Sequence, residues 1–484
     1  TATQTYNTAI GALAGGAVTT GTFNTLIGGK SGDAITSGDN NTAVGYSSLT
    51  TNTLSDRNVA MGNFALSALN HTTTTDAYNV GIGHSAGREI TTGVENVLIG
   101  GLAGDALTDA DFNVAIGHLA LSSDTLGSQS VAIGKEALFT QNFTTATASN
   151  NVAIGHNAGF ATTTATNNVF VGAFAGDAVT TGDNLVAIGR NALTTMTTGT
   201  ANVAVGNFCL NSLTTASSNT AVGQNCGADI TTGVQNTLMG DLCGDALTDA
   251  DYNVAVGDAA LGADTLGSRS VAVGQGALST QNFTTATNVE NVAIGYDAGV
   301  AITTGFKNTI VGALGYDNLQ NGDRNISIGY DTSSSGVNDS LAILIGVSIT
   351  SGGAGTARLG NSGGTATLGL DGSDTSWAAA SDSRLKKDVE NSTVGLEFIK
   401  DLRPVTFKWN AKDAIANTLP QYDADSSDPI YGTGKAHHGF IAQEVKAVID
   451  SHSDVVNGHN LWSEDPDGTQ QVSPSALVPM LVKA

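Results

Sequence analysis

Ser381 and Lys386 are the side chains whose types and spacing most directly suggest covalent chemistry in this 484-residue chain; they lie in the run Ser381-Asp382-Ser383-Arg384-Leu385-Lys386-Lys387-Asp388. A serine hydroxyl attacks a carbonyl once a base takes its proton. A lysine five residues on can be that base if folding brings the two together and desolvation leaves some of the amine neutral. The plainer reading is local: Ser381 caps a helix ahead of Arg384, with Asp382 favouring the positive end of the helix dipole. The two readings are compatible. Elsewhere the chain shows no Ser-His-Asp order, P-loop or H-E-x-x-H motif.

What must position this pair is the junction of two unlike objects. All six prolines lie after residue 400, and residues 1–380 hold only nine of the nineteen Lys and Arg. With 61 glycines, 5% aromatic and 13% charged residues, the composition favours a fibrous or solenoidal body over a compact globule. The formal charge of −24 argues against nucleic acid, which needs a basic face for counterion release, and against anionic lipid. The longest apolar run, Leu341 to Ile349, is too short to cross a bilayer, so no membrane insertion is expected. Because the chain begins without Met and inside a repeat, it is expected to be a fragment or a processed product.

Up to residue 330 the body is one repeat. Aligning each Asn-Val-Ala-Ile-Gly unit puts starts at 7, 24, 41, 58, 79, 96, 113, 130, 151, 168, 185, 202, 219, 236, 253, 270, 291, 308 and 325. The step is 17 residues, or 21 after 58, 130 and 270, as in a stacked array. The second and fourth positions are β-branched or apolar and the fifth is always Gly, from Gly11 to Gly329, so each unit reads as a short strand ended by a turn. The ninth position runs Gly, Gly, Leu, Leu, and Asp105–Thr147 recurs nearly unchanged at Asp245–Thr287, which marks growth by duplication. One such unit cannot bury enough apolar surface alone, so it must stack on its neighbours or pack against other chains. Nineteen rungs about 4.8 Å apart would make a rod of roughly 90 Å. Between 331 and 380 the register is expected to be lost, leaving a β neck.

The tail carries a resemblance in three ordered blocks: the run around Ser381, then Leu402-Arg403-Pro404-Val405-Thr406-Phe407-Lys408-Trp409, then His438-Gly439-Phe440-Ile441-Ala442-Gln443-Glu444-Val445. These resemble the endosialidase-type intramolecular chaperone domain, which closes phage tail spikes and tail fibres. The rungs are similar to the head repeats of trimeric autotransporter adhesins, in which three chains share one parallel β-roll, although that period is shorter than 17. The resemblance implies a mainly β, parallel β-roll or β-solenoid fibre, homotrimeric, over residues 1–330. A neck spans 331–380, and a small α+β chaperone domain spans 381–484. It implies that Ser381 attacks the carbonyl of Ala380 with Lys386 as base, cutting once in cis, with no turnover enzyme activity. His437, His438, Gln443 and Glu444 are supporting candidates for that site, with ordinary buried or surface roles as their plainer reading. The implied function is host-cell attachment as a virion tail fibre, assembled in the bacterial cytoplasm and extracellular afterwards. The implied partners are further copies of the chain, a cell-surface glycan or protein receptor, and other tail or fibre proteins at the N-terminal end. The alternative is a bacterial surface adhesin or secreted fibre using the same chaperone.

Several other residues invite a site and have a plainer reading. Cys209, Cys226 and Cys243 share the eighth position of consecutive rungs; they read as buried fillers, with one bridge geometrically possible and no zinc site, since no His lies near. The Asn column reads as a buried amide ladder rather than a glycan surface. Recurrent Thr pairs such as Thr180-Thr181 read as turn-flanking residues rather than an ice-binding face. The pairs Asp109/Asp111 and Asp249/Asp251 mimic a glycosidase or calcium site, but as copies within the duplication they read as turn acids. Phe143 and Phe283, in the loops of two 21-residue rungs, could contact a receptor sugar or anchor their own loops, and the anchor is favoured. No cofactor or metal is expected.

Overall fold

The computed structural model describes residues 4–370, 378–379, 387, 389, 394–417, 422–430, 435–452, 455, 461–464 and 468–483. The chain divides into two compact units, Thr1–Ala380 and Ser381–Ala484. Among the described residues no helix is long and apolar enough to cross a membrane.

The first unit is a β-solenoid of about 21 turns. Each repeat contributes a three-residue strand, as in Val97–Ile99 and Val114–Ile116, paired in parallel with the same positions of the next rung. The 21-residue steps leave this ladder undisturbed, since Val131 pairs with Val152 as directly as Val114 does with Val131. Their four extra residues enter loops that add small parallel pairs, such as Gly127–Ser128 with Thr147–Ala148.

In each strand the middle residue points inward. Ala43, Ala115 and Ala204 are fully buried, and residues from the eighth, ninth and twelfth positions, such as Ala120, Leu121 and Leu107, complete one continuous core. The coil of a single chain therefore encloses its own core. A roll shared among chains, as the adhesin likeness implies, is not how these side chains are buried.

The Gly-Gly-Leu-Leu rhythm is a matter of core volume. The ninth position is left-handed in every rung from Gly15 to Tyr316, with φ of 61° at Gly15 and 50° at Leu49. Where it is Leu, that side chain fills the coil and the strand centre is Ala. Where two successive rungs carry Gly, a larger strand residue fills the gap: Leu26, Leu98, Phe170 and Leu238, one in every four rungs; at the next such place Ile310 lies against Gly299, and a buried Tyr316 stands where the second Gly would be. A Cβ added at Gly159 or Gly176 would meet the Phe170 ring at 2.8 and 2.5 Å.

The register does not stop at residue 330. Ile326–Ile328 pairs with Ile343–Val347 at the usual 17-residue step, and that strand pairs in parallel with Thr356–Asn361 at a step of 14. Residues 331–361 thus belong to the solenoid, and the neck expected from 331 begins as two more rungs. The Asn signature is gone at Ala342, yet its backbone N–H still donates to Asn325 Oδ1 at 2.9 Å, and Gly346 keeps the fifth position. An antiparallel hairpin, Thr356–Asn361 with Gly364–Gly369, ends the stack.

The second unit holds helices Leu396–Asp401, Ala442–Ser451 and Leu477–Lys483, with two antiparallel strand pairs, Val405–Phe407 with His437–Gly439 and Trp462–Glu464 with Gln470–Val472. Phe398, Val445, Leu461 and Met480 are at the centre of its small core.

Phe170→Ala should leave a cavity over two glycines and lower stability by about 3–5 kcal/mol, read by chemical denaturation. Adding Gly176→Leu converts the rung to the Ala/Leu type and should recover part of that loss. A double variant no more stable than Phe170→Ala would refute the volume exchange.

Candidate functional site

The groups that bind rung to rung must be separated from those left for other work. Every Asn of the column is spent on the fold. Asn24 Oδ1 accepts the backbone N–H of Asn41 at 2.9 Å, and its amide donates to Gly38 O at 2.8 Å, closing the same rung. The same pair of bonds recurs at Asn96, Asn168, Asn236 and Asn308. These amides are buried and offer nothing to a glycan. The paired acids are spent as well: Asp111 Oδ1 accepts Val94 N–H at 2.8 Å and Asp109 accepts the Thr92 hydroxyl at 2.5 Å, with the copies Asp251 and Asp249 doing the same for Val234 and Thr232. The first threonine of each pair donates to a carbonyl of the next rung, as Thr180 does to Thr197 O at 3.1 Å.

The cysteines are fully buried and free. Cys209 and Cys243 donate to Ala221 O and Ala255 O, each at 3.2 Å. Hydrogen bonding with Cys209, with burial adding to it, pushes the Cys226 thiol up to about 12, and hydrogen bonding with Cys226 and burial raise Cys243 in the same direction. Such thiols stay protonated and unreactive at neutral pH. Among the described residues no cluster of three or more His, Cys, Asp or Glu is placed to hold a metal ion.

The inserted loops hold the polar residues that the sequence reading passed over. The twelfth position is a mostly apolar core column, but Asp124 and Gln141 occupy it in adjacent rungs, both fully buried. Asp124 accepts the backbone N–H groups of Gly127 and Phe143 and the Gln141 amide, at 3.0, 3.0 and 2.6 Å. Gln141 also donates to Ser130 Oγ at 2.9 Å and accepts the Asn151 amide at 2.8 Å. Asp264, Gln281, Ser270 and Asn291 repeat the network. At the two gaps Ser130 and Ser270 in the Asn column, the glutamine accepts the side-chain amide of the next Asn, Asn151 or Asn291, and donates to the serine hydroxyl. Burial pushes the Asp264 carboxyl above its usual range, against the hydrogen bonds it accepts. An acid followed by an amide in a mostly apolar column, repeated 140 residues on, was the signal.

Phe143 and Phe283 are only 6% and 8% exposed, tied down by their backbone N–H bonds to Asp124 and Asp264. Buried rings present no face to a sugar, so their placement is that of loop anchors. In the third long rung His71 takes the corresponding place. It is 8% exposed, with its Nε2 buried and without a hydrogen-bond partner. Burial holds its pKa below the usual histidine value, against the pull of Asp109 and Asp111.

Ala380, the last residue of the first unit, and Ser381 and Lys386 of the second lie outside the described residues. The supporting candidates are described, each with neighbours of its own. Glu444, in the first turn of its helix, forms a two-pronged ion pair with Arg403, which holds its carboxyl below the usual range. His438 Nδ1 lies 3.3 Å from Thr406 Oγ1 on the neighbouring strand. His437 sits beside Phe407 and Trp409, with ring centroids 5.8 and 6.4 Å away. Gln443 lines a groove of about 790 Å³ with Phe407, Trp409, Phe440, Gln470 and Pro474. Arg403, missed from sequence, was readable only as part of a block; its partner 41 residues on is set by the fold.

The sequence profile of the family described as chaperone of endosialidase matches residues 381–454. No curated protein matches the chain. The match begins at Ser381, where the second compact unit begins.

A histidine whose folded pKa is depressed stabilises the fold fully above its unfolded value, about 6.5, and progressively less as pH falls below it. The loop 70–77 should therefore lose amide-exchange protection as pH falls from about 7 to 5. His71→Phe, which installs the residue found in the other two loops, should abolish that dependence. Equal pH dependence in both proteins would show that another group is responsible.

Proposed function

We propose that this chain is the shaft of a host-attachment fibre of the phage tail-fibre type, assembled as a homotrimer by its C-terminal unit. The observation that carries the reading is the junction: a stack of about 21 in-register rungs ends just ahead of a unit matched by a chaperone family, and the two meet at residues 380 and 381. A parallel stack is costly to start, because a first rung has no neighbour to pack on. Each rung gains only from neighbours already in place, so a terminal clamp that aligns chains lowers the cost of starting. Display of several copies turns weak contacts with a cell-surface glycan or protein into useful avidity.

The processing step of this proposal is a single cut in cis. Lys386, as neutral amine, takes the proton of the Ser381 hydroxyl while Oγ attacks the Ala380 carbonyl carbon. The Ala380–Ser381 C–N bond then breaks, with the proton returned to the departing amine, and an ester links Ala380 to Ser381 Oγ. Water hydrolyses that ester, leaving Ala380 with a carboxylate and Ser381 with its hydroxyl restored.

Expression of the chain beside Ser381→Ala should give two fragments on a denaturing gel for the first and one full-length band for the second, with both trimeric by native mass. Normal cutting by Lys386→Ala would remove the lysine from the mechanism. A monomeric native mass for both would remove the chaperone role. Labelled fragment 1–380 should bind host bacteria and be displaced by unlabelled fragment.

A further inference from the structure

The solenoid faces differ in one respect that the fold itself does not require. A coil needs an apolar residue only where a side chain points inward, at the strand centre. The flanking second and fourth positions point outward, and in a water-facing sheet they should be polar. Here they are not. In nearly every rung from the first to the nineteenth the strand reads Val or Thr, then a core residue, then Ile, Val or Met, with the outer two part-exposed or exposed. Met61, Ile154, Ile188 and Ile294 are exposed by 42, 38, 39 and 41%. No second or fourth position carries a charge, in a chain of net charge −24. The threonine face is different, since its columns present hydroxyls bonded along the stack, as at Thr163, Thr197 and Thr231.

A three-residue strand is about 10 Å wide, and twenty steps of about 4.8 Å run close to 95 Å, so this apolar strip covers on the order of 1,000 Å². The largest apolar patch on an ordinary monomer is about 300–600 Å², and a stable interface needs about 800 Å² from each partner. The period says what covers it. An occupant must offer apolar groups at the same step along the whole strip, which a globular partner cannot do and another copy of this chain does. Like-charged copies can also approach along this strip without bringing carboxylates together.

The geometry points to the outward strand face, the second and fourth positions of each rung, as the surface on which a second copy of this chain packs along the shaft. The inference rests on the fibre reading above and names its contact surface.

Ile188→Cys and, in a distant rung, Ile294→Cys in the full chain test it with a short bismaleimide. The native cysteines are buried and serve as an unreactive background. Thr198→Cys, on the threonine face of the same rung as Ile188, is the control. Both strand-face variants should lose their monomer band to cross-linked species on a denaturing gel, while the control keeps it. An associated protein that cross-links through Thr198→Cys and not through Ile188→Cys or Ile294→Cys overturns this surface and leaves the fibre reading standing. A chain that is monomeric by native mass and cross-links at none of the three overturns both.

Discussion

One hydrogen bond recurs along the shaft and the rest of the solenoid depends on it: the side-chain oxygen of an Asn receives the backbone N–H that opens the next rung. The turns are joined from rung to rung by backbone bonds, as Gly104 N–H to Ala120 O and Thr108 N–H to Thr125 O, but the N–H that opens each repeat and a carbonyl near its end are left to a side chain. The Asn side chain meets both needs, with its oxygen on the next rung and its amide on the carbonyl that closes its own. Because the donor is a backbone N–H, the next residue need not be Asn. Leu185 and Ala342 both donate, at 2.9 Å. The column therefore tolerates gaps without losing register.

Given that register, the core becomes a filling problem repeated along an axis. The left-handed ninth position accepts Gly or Leu, and each choice changes the volume that the strand centre must occupy. Leu26, Leu98, Phe170 and Leu238 each sit over a pair of glycines, so four rungs form the smallest unit that packs to constant density. That is a physical reason for duplication in multiples of four rungs: a copy of any other length would break the alternation of two Gly rungs with two Leu rungs and leave the core over- or under-filled at the seam. The fifth-position glycine is held by a different constraint, close backbone approach. At Gly100, with φ of 139°, a Cβ would lie 2.5 Å from the carbonyl oxygen of Gly117.

The acids and the apolar strip divide the outside. Many of the 43 carboxylates are used inside the stack, as Asp111 and Asp251 are, or sit half-buried with raised pKa, as Asp177 and Asp245 do through desolvation. What remains gives the outside its net negative charge, from which the second and fourth strand positions are exempt. On the reading proposed above, assembly and charge belong to different columns of the same 17-residue repeat, and the terminal unit would need only to start an alignment that the period propagates.

The amino-acid order alone determined the repeat, its 17- and 21-residue steps, the strand at each Asn, the glycine turn and the junction near residue 380, because each is a local periodicity that needs no distant contact to be seen. It also marked the rungs past 330, in Ala342-Ile343-Leu344-Ile345-Gly346, but their missing Asn concealed them. Only the tertiary structure decided that each chain encloses its own core, that Phe143 and Phe283 face inward, that Asp124 and Gln141 meet inside the coil, and that Glu444 belongs to Arg403. Those facts depend on which residues 17 or more apart become neighbours, and on which side of a three-residue strand faces water, and both are settled only when the coil closes.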